Sequence, residues 1–223
     1  MLTIIKKGIK NTLSFAAIKW TKWHLKKDRS YTYKGLKLHI KKDVFHPGFF
    51  RSTTIMAEWL DQLDLNDKLI LELGCGSGLL SLLAAKKGTE VTSIDINRKA
   101  VENVKSNADK NNLNITAYVS DLFSNVNSNE KFDIVLINPP YFEGDPENDY
   151  EYAWYCGEDF SYFKNLFLQI TQRPTGESYF MIVSDNCDLK KIQALAENTG
   201  LRLQEVIRKK KWGELFFIYE ITS

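Results

Sequence analysis

From Lys68 to Ile221 the sequence alternates short apolar runs with segments of helical period, and this alternation leaves few folds open. Lys68–Leu73, Glu90–Ile96, Ile115–Val119, Phe132–Ile137 and Ser178–Val183 read as strands. Leu79–Lys87, Arg98–Asn111, Phe160–Gln172 and Leu189–Asn198 read as the helices between and after them. Strands separated by helices pair in parallel, with helices covering both faces of the sheet. Leu201–Arg208 and Leu215–Ile221 are joined by a short loop through Lys211-Trp212-Gly213. A parallel crossover needs a dozen residues or more, so this last pair is antiparallel. The expectation is an α/β chain with a doubly wound, mostly parallel sheet of seven strands that closes on an antiparallel pair. Upstream, residues 1–27 have helical period, Tyr31–Ile40 reads as a hairpin, and a helix is expected over Ser52–Leu63, capped by Ser52 or Thr53. We divide the chain into a basic extension, residues 1–45, and a main domain, residues 46–223.

In such sheets ligands sit beyond the carboxyl ends of the strands, so residues at those ends are the candidates for function. The first strand runs into Leu71-Glu72-Leu73-Gly74-Cys75-Gly76-Ser77-Gly78. Alternate glycines let a ligand approach the backbone, and the helix that follows offers free N–H groups. A dinucleotide fingerprint would need a third glycine at Leu79, where there is none. Glu72 would repel a pyrophosphate but could pair with the amino group of a cationic ligand. Asp95 and Ile96 end the second strand, and Asp121-Leu122 follow the third. The fourth ends in Asn138-Pro139-Pro140-Tyr141. An Asn carbonyl oxygen, stiff proline backbone presenting carbonyls, and a Tyr ring together suit a planar group carrying an NH2.

Charge is unevenly distributed. Residues 1–42 hold twelve Lys/Arg against Asp28 alone, a net +11, which leaves −9 for residues 43–223 out of the total of +2. A basic arm with Trp20, Trp23, Tyr31 and Tyr33 among its lysines suits RNA phosphates and bases, or an anionic surface. His24, His39 and His46 all fall in about the first fifth of the chain, and Cys75, Cys156 and Cys187 are far apart. That pattern predicts no metal site and no disulfide framework, and points to a reducing cytoplasm. No apolar run approaches the ~20 residues that span a bilayer.

Glu72-x-Gly74-x-Gly76-x-Gly78 resembles the first motif of class I S-adenosylmethionine-dependent methyltransferases, which have a Rossmann-like fold. The resemblance covers roughly residues 46–223. It implies S-adenosylmethionine as cofactor, held by Glu72, Gly74, Cys75, Gly76 and Gly78, with Asp95 and Ile96 at the ribose and Asp121 and Leu122 at the adenine. Asn138-Pro139-Pro140-Tyr141 resembles the catalytic motif of two groups: glutamine-N5 methyltransferases of release factors, and adenine-N6 methyltransferases of RNA and DNA. It implies that Asn138, Pro139, Pro140 and Tyr141 act on the acceptor, with Asn138 also near the cofactor. Asp43–Thr53 resembles the segment that the release-factor enzymes place over the cofactor, which brings Thr53 to the site. Ala153-Trp154-Tyr155-Cys156-Gly157-Glu158-Asp159 resembles the aromatic, paired-glycine and acid stretch of the eukaryotic and archaeal glutamine enzymes, with Cys156 in place of the first glycine. Arg208–Leu215 resembles their basic turn and Glu-Leu. These features favour a protein glutamine as acceptor. An adenine of tRNA or rRNA is the alternative, and an RNA- or membrane-binding platform is the non-enzyme alternative.

Overall fold

The computed structural model describes residues 27–223. The helix expected over residues 1–27 therefore falls outside the described residues, except for its last position. The hairpin forms as β1 (Arg29–Tyr33) and β2 (Leu36–Ile40), antiparallel around Lys34-Gly35. Then come α1 (Arg51–Leu60), β3 (Leu69–Leu73), α2 (Leu79–Lys86), β4 (Glu90–Asp95), α3 (Arg98–Lys110), β5 (Thr116–Val119) and β6 (Ile134–Ile137). A short 3-10 turn (Glu151–Ala153) precedes α4 (Ser161–Ile170), β7 (Ser178–Ser184), α5 (Leu189–Glu197), β8 (Arg202–Lys211) and β9 (Glu214–Thr222). Among the described residues no helix is long and apolar enough to cross a membrane.

The sheet has seven strands in the order β5-β4-β3-β6-β7-β9-β8. The first five are parallel, and β9 lies antiparallel between β7 and β8, as the sequence predicts. Alternation along each strand feeds two apolar layers. Leu71 and Leu73 of β3, Val135 and Ile137 of β6, and Met181 and Val183 of β7 pack with Phe163 and Phe167 of α4 and Ile192 of α5. Ile70, Leu136 and Ile182 face the other way, onto Ile55 and Met56 of α1 and Leu79 and Leu83 of α2. Leu36, Leu38 and Ile40 of the hairpin are buried in that second layer. The outer strand β8 carries Arg208–Lys211, charges that discourage another chain from pairing with the open edge.

Two local findings differ from the sequence reading. Helix α1 starts at Arg51, and Phe50 holds its N-cap position without a side-chain hydrogen bond. Ser52 and Thr53 are buried inside the helix rather than capping it. In addition, α3 presents Asn103, Asn107 and Asn111 to the hairpin. Their Oδ1 atoms accept hydrogen bonds from the backbone N–H of Lys41, His39 and Lys37 at 2.9, 2.8 and 3.0 Å. These bonds satisfy strand donors that have no neighbouring strand.

Candidate active site

The strand order reverses between β3 and β6, each of which leads to a different side of the sheet. The crevice that this opens at the carboxyl ends is a cavity of about 420 Å³. Thr53, Glu72, Gly74, Cys75, Gly76, Asp95, Ile96, Asp121, Leu122, Asn138, Pro139, Pro140 and Tyr141 all stand on its wall. Gly78 is the exception among the residues singled out from the sequence. It caps α2 at φ +79°, and a Cβ there would stand 2.6 Å from Val104 Cγ2. This glycine shapes the loop through close packing against α3.

The glycine loop is held from below. Glu72 is buried, and its Oε2 accepts hydrogen bonds from the Ser81 N–H at 2.9 Å and from the Ser81 hydroxyl, which in turn meets Ser93 Oγ at 2.6 Å. Burial pushes Glu72 up to about 8, against the opposing pull of the Ser81 bonds. A cation beside it would lower it again. Asp95 is tied to the same loop: its carboxylate accepts the Gly76 N–H and the Asn97 N–H, both at 2.8 Å. Desolvation holds Asp95 above the usual carboxylate range, and the two backbone bonds oppose that shift. Each Asp95 oxygen keeps lone-pair capacity for a further donor.

The reacting loop meets α1. Asn138 Nδ2 donates to Thr53 Oγ1 at 3.0 Å, across 85 positions of sequence. With its NH2 engaged in this way, the amide leaves its carbonyl oxygen as the group free to accept. Tyr141 is half-buried, its ring 5.0 Å from that of Phe142. Burial keeps its hydroxyl from ionising, with Cys187 and Glu214 adding to the shift.

Several wall residues escaped the sequence reading as individuals. Phe45 and Phe50 stack at 4.7 Å over the glycine loop, and a Cβ on Gly76 would stand 3.2 Å from Phe45 Cβ. Tyr162 and Asn165 come from the first turns of α4, spaced i and i+3, so both share the face turned to the Asp95–Asp121 end. That spacing was the available signal. Trp154 is held against the reacting loop by backbone bonds: the Phe142 N–H donates to Trp154 O, and the Cys156 N–H to Phe142 O, both at 2.9 Å.

Six carboxyl groups line the cavity, those of Asp43, Glu72, Asp95, Asp121, Asp145 and Asp149, while among the described residues no Lys, Arg or His does. Such a wall suits a ligand carrying positive charge. Fold and site together define a doubly wound α/β protein with an acid-lined ligand crevice at its switch point. The methyltransferase small domain family matches residues 36–155, more than half of the chain, and the chain belongs to that family. A relative from Methanocaldococcus jannaschii, named "Putative protein N5-glutamine methyltransferase", is 41% identical over 109 residues, which are 48% of this chain and 52% of the relative. A ribosomal protein L11 methyltransferase of Shewanella sediminis is 44% identical over 71 residues, 31% of this chain and 24% of that protein. The chain thus spans about half the length of the first relative and about a quarter of the second. Among solved structures, the E. cuniculi Mtq2–Trm112 complex, responsible for methylation of the eRF1 termination factor, aligns with TM-score 0.62 at 21% identity over 81% of this chain and 99% of that one. The T. thermophilus 16S rRNA N2 methyltransferase RsmC, solved with AdoMet and guanosine, aligns with TM-score 0.63 at 19% identity over 88% of this chain and 50% of that one. At these identities the structural likeness shows the fold.

The wall fits S-adenosylmethionine by its own chemistry. The ligand carries a sulfonium and an amino group, and the cavity offers carboxyls, of which Asp43 is already paired with Lys99 at 2.8 Å. Gly74, at φ +78°, has open space where a Cβ would project, so its backbone can be approached closely.

Proposed function

We propose that this chain is an S-adenosylmethionine-dependent N-methyltransferase whose acceptor is the side-chain amide of a protein glutamine. The observation that carries this reading is the Thr53–Asn138 hydrogen bond, which fixes an amide at the cavity wall with its carbonyl oxygen left to accept. The glycine loop, Asp95 and Ile96 would hold the ribose side of the cofactor, and Asp121, Leu122, Tyr162 and Asn165 the adenine side. When bound, the cofactor supplies a methyl group on positively charged sulfur.

The chain's own residues handle the acceptor. An amide nitrogen is a poor nucleophile because its lone pair is drawn into the C–N bond. Asn138 Oδ1 and the Pro139 carbonyl take its two hydrogens, and Tyr141 flanks its plane. Held in this way, the nitrogen gains lone-pair character in the direction of attack, an interaction that strengthens toward the transition state. No lining His or Lys is needed as a base, because the nitrogen becomes acidic once alkylated and releases its proton to water.

The same grip would suit an adenine amine. Six lining carboxyls, with no Lys, Arg or His among the described residues of the wall, are poor surroundings for an acceptor flanked by phosphates, and this favours the protein substrate. Calorimetry with S-adenosylhomocysteine tests the cofactor reading, and no binding at millimolar ligand would sink it. For the acceptor, tritiated methyl transfer into lysate should give label that survives ribonuclease and disappears with protease. The opposite pattern would establish an RNA acceptor. The basic arm remains a proposed contact with RNA or an anionic surface, tested by removing residues 1–26 and measuring RNA and vesicle binding.

A further inference from the structure

Four buried side-chain polar atoms among the described residues have no hydrogen-bond partner: Tyr33 Oη, Thr89 Oγ1, Tyr118 Oη and Trp154 Nε1. Of these four residues only Trp154 stands on the cavity wall. It is 2% exposed, so bulk water does not serve its N–H. A buried donor without an acceptor is costly and rare, so each one calls for an explanation.

The position of Trp154 supplies one. Its backbone is bonded to Phe142, one residue beyond Asn138-Pro139-Pro140-Tyr141, so the indole travels with the reacting loop. Phe50 and Tyr150 box its ring at centroid distances of 6.4 and 5.8 Å. Indole Nε1 is a donor only. In the grip proposed above the motif contributes acceptors, the carbonyl oxygens of Asn138 and of Pro139. A primary amide needs both kinds of partner, acceptors for its NH2 and a donor for its C=O.

We propose that Trp154 is a substrate-binding residue whose Nε1–H donates to the carbonyl oxygen of the acceptor amide, with a small tilt of the ring as the side chain enters. The inference rests on the amide reading above. It has a particular kinetic consequence. A hydrogen bond to the carbonyl favours the resonance form in which the nitrogen lone pair is drawn away, whereas methylation needs that pair localised on nitrogen. Trp154 therefore holds the ground state more tightly than the transition state, so its loss raises KM without lowering kcat.

The test is the full chain with Trp154 replaced by β-(3-benzothienyl)alanine, which keeps the bicyclic ring and puts sulfur where the N–H was. Methyl transfer to an array of glutamine-centred peptides is measured alongside S-adenosylhomocysteine affinity. The expected result is a KM for peptide raised about tenfold, which corresponds to 1.4 kcal/mol. kcat should be unchanged or higher, with Kd for S-adenosylhomocysteine unchanged. An unchanged KM, or a loss of affinity for S-adenosylhomocysteine in step with KM, would overturn the assignment, the latter by placing the donor on the cofactor. If the unmodified protein binds S-adenosylhomocysteine but labels no glutamine peptide, the amide reading itself fails and takes this inference with it.

Discussion

Replacing Thr53 with Val keeps a β-branched shape in a buried helical position and removes only the hydroxyl that accepts from Asn138 Nδ2. The Asn138 NH2 then has no partner in its present orientation. Asn138 is half-buried, and leaving its donor unsatisfied costs on the order of 1–3 kcal/mol. The side chain escapes that cost by turning, and the productive orientation is penalised by the same amount. At 1.36 kcal/mol per decade, the methyl-transfer rate should fall roughly 5- to 150-fold. Global stability should change less, because the turned amide finds other partners. Single-turnover methyl transfer at saturating peptide, paired with calorimetry for S-adenosylhomocysteine, separates the two effects. Thr53→Ser restores the hydroxyl and should recover most of the rate. If Thr53→Val turns over within twofold of the parent while its fold and cofactor affinity are intact, the hydrogen bond does not orient Asn138 for catalysis, and the assigned mechanism is wrong.

Three other substitutions probe the frame around the site. Gly78→Ala places a Cβ 2.6 Å from Val104 Cγ2 at φ +79°, and should cost about 2–5 kcal/mol in urea denaturation. Val104→Ala in the same chain should recover the steric part through a coupling energy of about 1–3 kcal/mol. Glu72, raised by burial from 4.5 to about 8, binds its proton more tightly in the folded chain than in the unfolded one. The stability it contributes is complete below about pH 4.5 and is lost as pH rises toward 8. Glu72→Gln should therefore gain on the parent steadily from pH 5 to 8, and a difference independent of pH would refute the shift. Asn107→Ala orphans the His39 N–H and should cost about 1–3 kcal/mol, with faster amide hydrogen exchange at His39 than at residues of β7.

Much of the sheet was readable because its signals are local. Ile70-Leu71, Val135-Leu136-Ile137 and Met181-Ile182-Val183 are apolar on both faces, as buried parallel strands must be. The brevity of Lys211-Trp212-Gly213 forced the antiparallel ending. What escaped the sequence is pairing at long range. Ser52 and Thr53 look like caps in one dimension, but whether a hydroxyl turns back to its own helix or out to Asn138 depends on where β6 lies. Glu72 was legible as an acid near a ligand, though its bond to Ser81 and the depth that raises its proton affinity required the packed α2. Asn103, Asn107 and Asn111 stand at four-residue spacing in the sequence, but nothing local marks what they bond. Their strand partners lie 62 to 74 positions away.

The three asparagines and the strand they serve work as a vernier. Four residues of helix advance about 6.0 Å, whereas two residues of strand advance about 6.6–6.8 Å. Each rung therefore falls out of step by roughly 0.7 Å relative to the last. The central rung, Asn107 to His39, is the shortest at 2.8 Å, and the outer two lengthen to 2.9 and 3.0 Å. A fourth rung would stand about 1.4 Å out of step with the central one, and each further rung more. The chain turns away at Gly35 on one side and at Lys42 on the other, so the hairpin uses the three rungs nearest to register. Extra strand beyond them would hold the helix progressively more weakly.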